Sequence, residues 1–208
     1  MGHKSLRACV TDLAQSNQLI RIPFEVDPNL EMASIHRRIF DAEGPALLFE
    51  KVKGSPFKAD SNIYGTKART EYLFRDTLEL VQKVTQLKID PMLLLKDPMK
   101  YIPASFTALR GLPRKTSRKT PVEYSTCRID EIPQIVSWPM DGGAFVTCPQ
   151  VFTMAPGKKK IMESNLGMYR IQLSGNEYIP NEEIGLHYQL HRGIGVHHTA
   201  YNLSLIHI

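Results

Sequence analysis

The spacing of apolar residues alternates between helical and strand periods in the first half of the chain. Leu6, Val10 and Leu13 recur at helical spacing, and every second residue over 20–26 is apolar, as is typical of a strand. Aspartate followed by proline at 27–28 predicts the start of a second helix, because aspartate can cap free amides and proline suits the first turn. That helix is predicted to end near Glu43, before a Gly-Pro pair.

A short apolar run over 46–49 predicts a second strand, and a long helix follows it. One face of that helix is marked by Leu73, Thr77, Leu80, Val81, Val84 and Leu87. Helices and strands thus alternate along this half, which predicts an α/β fold class with an N-terminal α/β domain over 1–115.

Five prolines break up the segment between about 90 and 121, and the pattern beyond it changes to short strands. We predict a domain boundary in this segment and a second, strand-rich domain over 116–202. Its candidate strands lie at 144–148, 151–154, 167–173 and 186–191, separated by glycine-containing turns.

Composition places the 208-residue chain among ordinary globular proteins, with 42% apolar residues. No apolar run reaches the length of a membrane span and no secretory signal is visible, so we predict a cytoplasmic protein without a membrane span. Its three widely separated cysteines are predicted to be reduced packing residues. The net charge of +5 is uneven, and five of the ten residues from Arg110 to Lys119 are basic. This segment supports an alternative function, non-catalytic binding of nucleic acid, although it lacks the interleaved aromatics of a single-strand platform.

Two short segments combine residue types that could carry chemistry. In the first, the amide oxygen of Asn165 suits Mg²⁺ or Mn²⁺, and Arg170 offers a planar cation for a carboxylate or phosphate. Positions five apart point to opposite faces of a regular strand, and Gly167 could relieve this by allowing a bulge. In the second, alternation over 186–191 predicts that His187 and His191 share one polar face, where an imidazole could join a metal site. Taken alone, such a polar strand face is also typical of a solvent-facing surface.

These segments, N-L-G-M-Y-R-x-Q at 165–172 and H-Y-Q-L-H-R-G at 187–193, resemble the cofactor-binding signature of UbiD-family decarboxylases. The similarity extends to L-x-R-I-x-x-x-V-D-P at 19–28, G-P-A-L-L-F-E at 44–50 and N-I-Y-G-T at 62–66. The resemblance implies an incomplete split β-barrel flavin-binding domain over 116–202, which binds prenylated flavin mononucleotide (prenylated FMN) together with Mn²⁺ or Mg²⁺. It implies Asn165 and His191 as metal ligands and Arg170 as the catalytic residue that engages the substrate carboxylate. The implied flavin-contacting residues are Met168, Tyr169, Arg170, His187, Tyr188, Gln189, Arg192 and Gly193.

The implied reaction is decarboxylation of an aromatic or α,β-unsaturated acid, closest to the polyprenyl-4-hydroxybenzoate acids of quinone biosynthesis. The implied partners are a flavin prenyltransferase that supplies the cofactor and further copies of the full-length chain, and a polyprenyl substrate allows peripheral membrane contact. The third metal ligand and the proton-donating acids of the family lie beyond the last motif, so we predict that this chain is an inactive fragment. A regulatory flavin-binding module without chemistry is a further alternative. Residues 203–208 resemble a translated sequencing adapter and are predicted to be a non-native tail.

Overall fold

The computed structural model describes residues 3–112 and 125–206. Its helices are α1 (Leu6–Gln15), α2 (Glu31–Asp41), α3 (Lys67–Leu73), α4 (Leu78–Ile89), α5 (Leu93–Lys96), α6 (Pro98–Arg110) and α7 (Ile194–Ile206). Its strands are β1 (Leu19–Val26), β2 (Ala46–Val52), β3 (Ala59–Ser61), β4 (Phe145–Val146), β5 (Gln150–Met154), β6 (Ser164–Met168), β7 (Arg170–Gln172) and β8 (Gly185–His187). This mixture of helices and small sheets confirms the predicted fold class.

The described residues form two compact units, each built from several stretches of the chain. One contains 3–22, 38–48 and 60–112, and the other contains 23–37, 49–59 and 125–206. Strands β1, β2 and β3 form one sheet in that order, β4, β7 and β8 form a second, and β5 pairs with β6. Most of the basic segment 110–119 lies outside the described residues, so the nucleic-acid alternative stays a prediction.

The core of the first unit forms around α1, as its helical period predicts. The hydroxyl of Ser5 caps the helix by accepting a hydrogen bond from the Ala8 amide at 3.2 Å. The buried face of α1 contributes Cys9 and Leu13, which pack with Ala46 and Leu73. Burying this apolar face is what holds a ten-residue helix in place, since a helix of that length is marginal in water.

Arg69 joins the loops of the first unit through backbone carbonyls rather than through a carboxylate. It is buried, and its guanidinium donates to the carbonyls of Ile63, Gly44 and Asn62 at 3.1, 3.0 and 2.8 Å. The Asn62 side chain donates in turn to the carbonyls of Gly44 and Pro45. Burial lowers the pKa of Arg69, but three hydrogen bonds satisfy its donors. This network explains why the segments 44–50 and 62–66 carry recognisable motifs.

An ion pair on the same unit makes its stability dependent on pH. Arg75 donates two hydrogen bonds to the Asp12 carboxylate, at 2.9 and 3.1 Å, and His3 and Tyr72 also contact it. The pKa of Asp12 is lowered, chiefly by the Arg75 hydrogen bonds. A lowered pKa in the folded state adds stability above the unfolded pKa of about 3.9, and this stability is lost as the pH falls through the folded value.

We therefore expect Asp12→Asn to lower the free energy of unfolding at pH 6 and to change it little at pH 3. Urea denaturation at both pH values measures this difference. Glu43→Gln, which neutralises an exposed carboxylate, is the control and should leave the pH dependence as in the wild type. An Asp12→Asn protein that loses stability equally at both pH values would contradict the assignment.

Two helix predictions were wrong in their bounds. The second helix begins at Glu31 instead of 27–28, because Asp27 forms a local turn with the Asn29 amide and Leu30 has a left-handed φ of 68°. The predicted long helix is two helices, α3 and α4, separated by a turn in which the Thr77 amide donates to the Phe74 carbonyl. Only Leu73 of its predicted face is buried, and α4 has no buried residue.

The cysteine prediction was correct for one residue of three. Cys9 is buried in the first unit's core, and burial raises the pKa of its thiol. Cys127 and Cys148 are exposed and therefore are not packing residues. Their environments follow from turns and strand ends that composition does not reveal.

Candidate functional site

The strand predicted over 167–173 is broken at Tyr169. Strand β6 before it pairs with β5, with Asn165 opposite Thr153, whereas β7 after it pairs with β4 and β8. Asn165 and Arg170 therefore belong to different sheets, and their opposite strand faces present no conflict. Gly167 lies in register opposite Val151, so the expected bulge at this position was wrong. A side chain on Gly167 would come within 2.7 Å of the Tyr169 ring, so its role is to leave space for that ring.

Asn165, Tyr169 and Gly193 form one cluster. The Asn165 amide group donates to the Tyr169 hydroxyl at 2.8 Å, and the Ile194 backbone amide donates to the same hydroxyl at 3.0 Å. Gly193 has a φ of 60°, and a Cβ there would lie 2.4 Å from the Tyr169 hydroxyl and 3.3 Å from Asn165 Oδ1. The cluster thus brings an amide oxygen to the first turn of α7, where free backbone amides favour an anion.

The crowding at Gly193 leads to a prediction. We expect Gly193→Ala to displace the Tyr169 hydroxyl and to weaken flavin retention by the full-length protein by about tenfold. Flavin absorbance per mole of purified protein measures this. Gly157→Ala is a matched control, because Gly157 also has a left-handed φ of 74° but has no atom within 4 Å of its Cβ position. Equal flavin loss in both variants would attribute the effect to backbone strain alone.

Arg170 is held by two residues that the sequence reasoning missed. Its Nη2 donates to Asp141 Oδ1 at 2.7 Å, and its Cζ lies 3.5 Å from the centre of the Phe145 ring. The Asp141 side chain is 8% exposed and that of Arg170 is 40% exposed. The hydrogen bond from Arg170 is the main cause that lowers the pKa of Asp141, and the amides of Trp138 and Ser137 assist. Asp141 is therefore an ionised partner that fixes the guanidinium while part of it stays accessible.

His187 lies beside Arg170 as its partner in the β7–β8 ladder. The imidazole is 3.1 Å from Gln172 Oε1 and packs edge-on against Phe145, with 5.4 Å between ring centres. Gln172 is buried and donates to the carbonyls of Gly142 and Ser174. Its position, two residues beyond Arg170 on a strand, is the signal that could have pointed to it, since such residues share a face.

The second predicted segment keeps its strand pattern only as far as His187. The predicted alternation through His191 was wrong, because β8 ends at His187 and a turn follows. Tyr188 contacts His198 of α7, and Arg192 donates to the Gln189 side chain at 2.8 Å. His191 is exposed within the turn, and Met168 is exposed at the end of β6.

The predicted site residues thus fall into separate groups. Within the described residues, no hydrogen bond or ion pair joins Arg170 or His191 to Asn165. A cavity of about 400 Å³ lies between β5 and α7, and of the predicted residues only Tyr188 lines it. Its other lining residues are Thr153, Met154, Pro156, Ile194, His197, His198 and Tyr201.

The fit of the implied cofactors differs between flavin and metal. A tyrosine hydroxyl, a helix amino end and an arginine are suited to a flavin phosphate and ring. For the metal, Asn165 Oδ1 and the His191 imidazole are two suitable donors, but among residues 3–112 and 125–206 no group of three or more His, Cys, Asp or Glu side chains could hold an ion. The residues present therefore do not complete a metal site.

No helix in the described part of the chain is both long and apolar enough to cross a membrane. In sequence, residues 10–88 match the 3-octaprenyl-4-hydroxybenzoate carboxy-lyase N-terminal domain, and residues 113–204 match the Rift-related domain of the same carboxy-lyase.

Several proteins are similar to the chain over nearly all of its length. An uncharacterized protein of Chlamydia trachomatis is 39% identical over 93% of this chain and 32% of its own length. A relative in Chlamydia pneumoniae, named as one of the subunits in a 4-hydroxybenzoate decarboxylase, is 37% identical over 92% of this chain and 32% of its own length. This chain thus spans about one third of these relatives.

Solved structures show the same fold. The vanillic acid decarboxylase of Sedimentibacter hydroxybenzoicus in closed form matches with a TM-score of 0.72 and 21% identity, over 95% of this chain and 40% of that chain. A dimeric UbiD-class enzyme of Pelotomaculum thermopropionicum in complex with prenylated FMN matches with a TM-score of 0.62 and 18% identity, over 90% of this chain and 39% of that chain. With two consecutive domain matches along the sequence and this fold, the chain belongs to the UbiD family of carboxy-lyases.

Proposed function

We propose that the full-length protein containing this chain decarboxylates an aromatic or α,β-unsaturated acid with prenylated FMN. The observation that carries the proposal is Arg170, which an ionised aspartate and an aromatic ring hold in a partly accessible position. Family membership and the name of the Chlamydia pneumoniae relative support a 4-hydroxybenzoate-type substrate, and a polyprenyl-4-hydroxybenzoate acid in quinone biosynthesis is our specific proposal.

Arg170 is proposed as the catalytic residue. Among the described residues its side chain makes one hydrogen bond, to Asp141, which leaves further N–H donors for a substrate carboxylate. A planar guanidinium can bind a carboxylate through two parallel hydrogen bonds and so fix its orientation. Phe145 excludes water from one face of the guanidinium, which strengthens these hydrogen bonds.

Flavin binding is proposed for Met168, Tyr169, Arg170, His187, Tyr188, Gln189, Arg192 and Gly193. The support is local: Tyr169 and Gly193 meet at the first turn of α7, and Arg192 directly precedes that turn. A phosphate there would receive backbone amides and a permanent cation. When bound, prenylated FMN supplies the electron sink for loss of CO₂, and this chain's residues supply binding and orientation.

Asn165 and His191 are proposed as two ligands of Mn²⁺ or Mg²⁺. Residues of the full-length protein outside this chain would complete the site, and we derive no reaction step from the metal. The wider proposal includes a domain boundary between 115 and 116, a non-native origin of 203–208 and a cytoplasmic location. It also includes a flavin prenyltransferase as cofactor supplier and self-association of the full-length chain.

The proposal is tested by expressing the full-length gene together with a flavin prenyltransferase. The purified protein should show the absorbance of prenylated FMN and release CO₂ from 4-hydroxybenzoate or a related acid. The same protein made without the prenyltransferase is the control and should release none. A fully loaded protein that releases no CO₂ from any aromatic or unsaturated acid would leave flavin binding without chemistry, as a regulatory module predicts.

A further inference from the structure

The guanidinium of Arg170 carries an ion-pair partner that no part of the predicted site includes. Asp141 precedes two glycines in the turn before β4, and its Oδ1 accepts the 2.7 Å hydrogen bond from Arg170. Its Oδ2 accepts hydrogen bonds from the backbone amides of Ser137 and Trp138 at 3.3 and 3.2 Å. With both oxygens engaged and little exposure to solvent, Asp141 has a fixed position and can fix that of Arg170.

Phe145 completes the arrangement from the other direction. The stacked ring restricts rotation of the guanidinium about its long axis, whereas the Asp141 hydrogen bond restricts it within its plane. Arg170 is thus pre-oriented before any ligand binds. Pre-orientation lowers the entropy cost of placing a carboxylate, which is the usual contribution of a supporting residue.

The charge of Asp141 has a second consequence. The Arg170–Asp141 pair is close to neutral, so a substrate carboxylate meets directed N–H groups without a full unbalanced positive charge. Strong binding of the carboxylate in the ground state would oppose its conversion to neutral CO₂, because only interactions that are stronger in the transition state accelerate a reaction. A balanced arginine orients the carboxylate and still allows its charge to be lost.

We propose that Asp141 is a positioning residue for Arg170, which it orients and whose charge it balances, so that an aromatic carboxylate is aligned without being bound tightly. This proposal rests on the proposed function. It differs from a purely structural role of Asp141 in its sign: removing the charge should tighten binding of a carboxylate while slowing its decarboxylation.

The test uses benzoate as the probe and the full-length protein, with binding measured by isothermal titration calorimetry. We expect Asp141→Asn to bind benzoate at least about fivefold more tightly than the wild type, since a nearby opposite charge is removed from Arg170. In CO₂ release, the same variant should show a lower KM and a lower kcat. Asp130→Asn is the matched control, because Asp130 pairs with Arg128 at 2.8 Å on the same unit and its loss changes net charge equally. This control should bind benzoate as the wild type does.

Asp141→Glu keeps the charge and tests the orienting role if Asp141→Asn folds poorly. It should bind benzoate within about twofold of the wild type but lower kcat, because the longer side chain displaces the guanidinium. Weaker or unchanged benzoate binding in Asp141→Asn, equal losses of binding and kcat in Asp141→Glu, or no benzoate binding by any of these proteins overturns the proposal. Failure of the wild type to release CO₂ sinks the proposed function separately, because benzoate binding requires no turnover.

Discussion

Replacing Arg170 with alanine in the full-length enzyme is expected to lower kcat/KM for CO₂ release by about 10²- to 10³-fold. The arginine is the charged donor that the structure holds accessible beside the flavin-binding cluster, and its loss removes the group that aligns the scissile carboxylate. A loss of this size corresponds to about 2.7–4 kcal/mol of transition-state stabilisation. Arg170→Lys should recover little of it, because lysine lacks the planar fork and the stacking on Phe145.

The matched control for Arg170 is Arg128→Ala. Arg128 also pairs with an aspartate, Asp130, but its side chain is well exposed, and such surface pairs contribute only about 0–1 kcal/mol. Steady-state CO₂ release by both variants, compared at equal flavin content, separates loss of chemistry from loss of cofactor. An Arg170→Ala enzyme with wild-type kcat/KM would show that the catalytic assignment is wrong.

The second large effect is expected in the core of the first unit. Leu13 is fully buried and packs with Cys9, Ala46 and Leu73, so Leu13→Ala should leave a cavity and lower the free energy of unfolding by about 2–5 kcal/mol. The midpoint of urea denaturation, followed by far-UV circular dichroism, measures this change. Both the lost apolar burial and the incomplete collapse of the cavity contribute to the expected destabilisation.

Leu6→Ala provides the control for Leu13→Ala on the same helix. Leu6 is 58% exposed, so its truncation removes few contacts and should change stability by less than about 0.5 kcal/mol. Equal effects of the two substitutions would mean that α1 does not bury the face assigned to it.

Local pattern was sufficient where one element buries one regular face. Helix α1 and strand β1 lie where the apolar spacing of 6–13 and 20–26 predicts them, because each keeps its period over its full length. The pattern was insufficient at Leu30, whose left-handed backbone delays α2, and at the turn between α3 and α4. Such local backbone turns leave the apolar spacing almost unchanged, so spacing alone cannot locate them.

The site was predictable in residue type but only partly in arrangement. Arg170, Asn165 and His187 stand out by their chemistry, whereas Asp141 lies 29 residues from Arg170 and becomes its partner only through folding. The break at Tyr169 depends on sheet pairing, which determines that β6 and β7 join different sheets. The end of β8 at His187 likewise follows from the turn that leads into α7. These features depend on long-range contacts that a single sequence does not display.

The most direct measurement is a crystal structure of the full-length protein loaded with prenylated FMN and Mn²⁺. We expect Asn165 Oδ1 and an imidazole nitrogen of His191 to lie within roughly 2.0–2.5 Å of one ion next to the flavin phosphate. We also expect Arg170, still paired with Asp141, to face the flavin ring. A flavin bound elsewhere, or Asn165 and His191 remaining on separate surfaces without a shared ion, would contradict the proposed site.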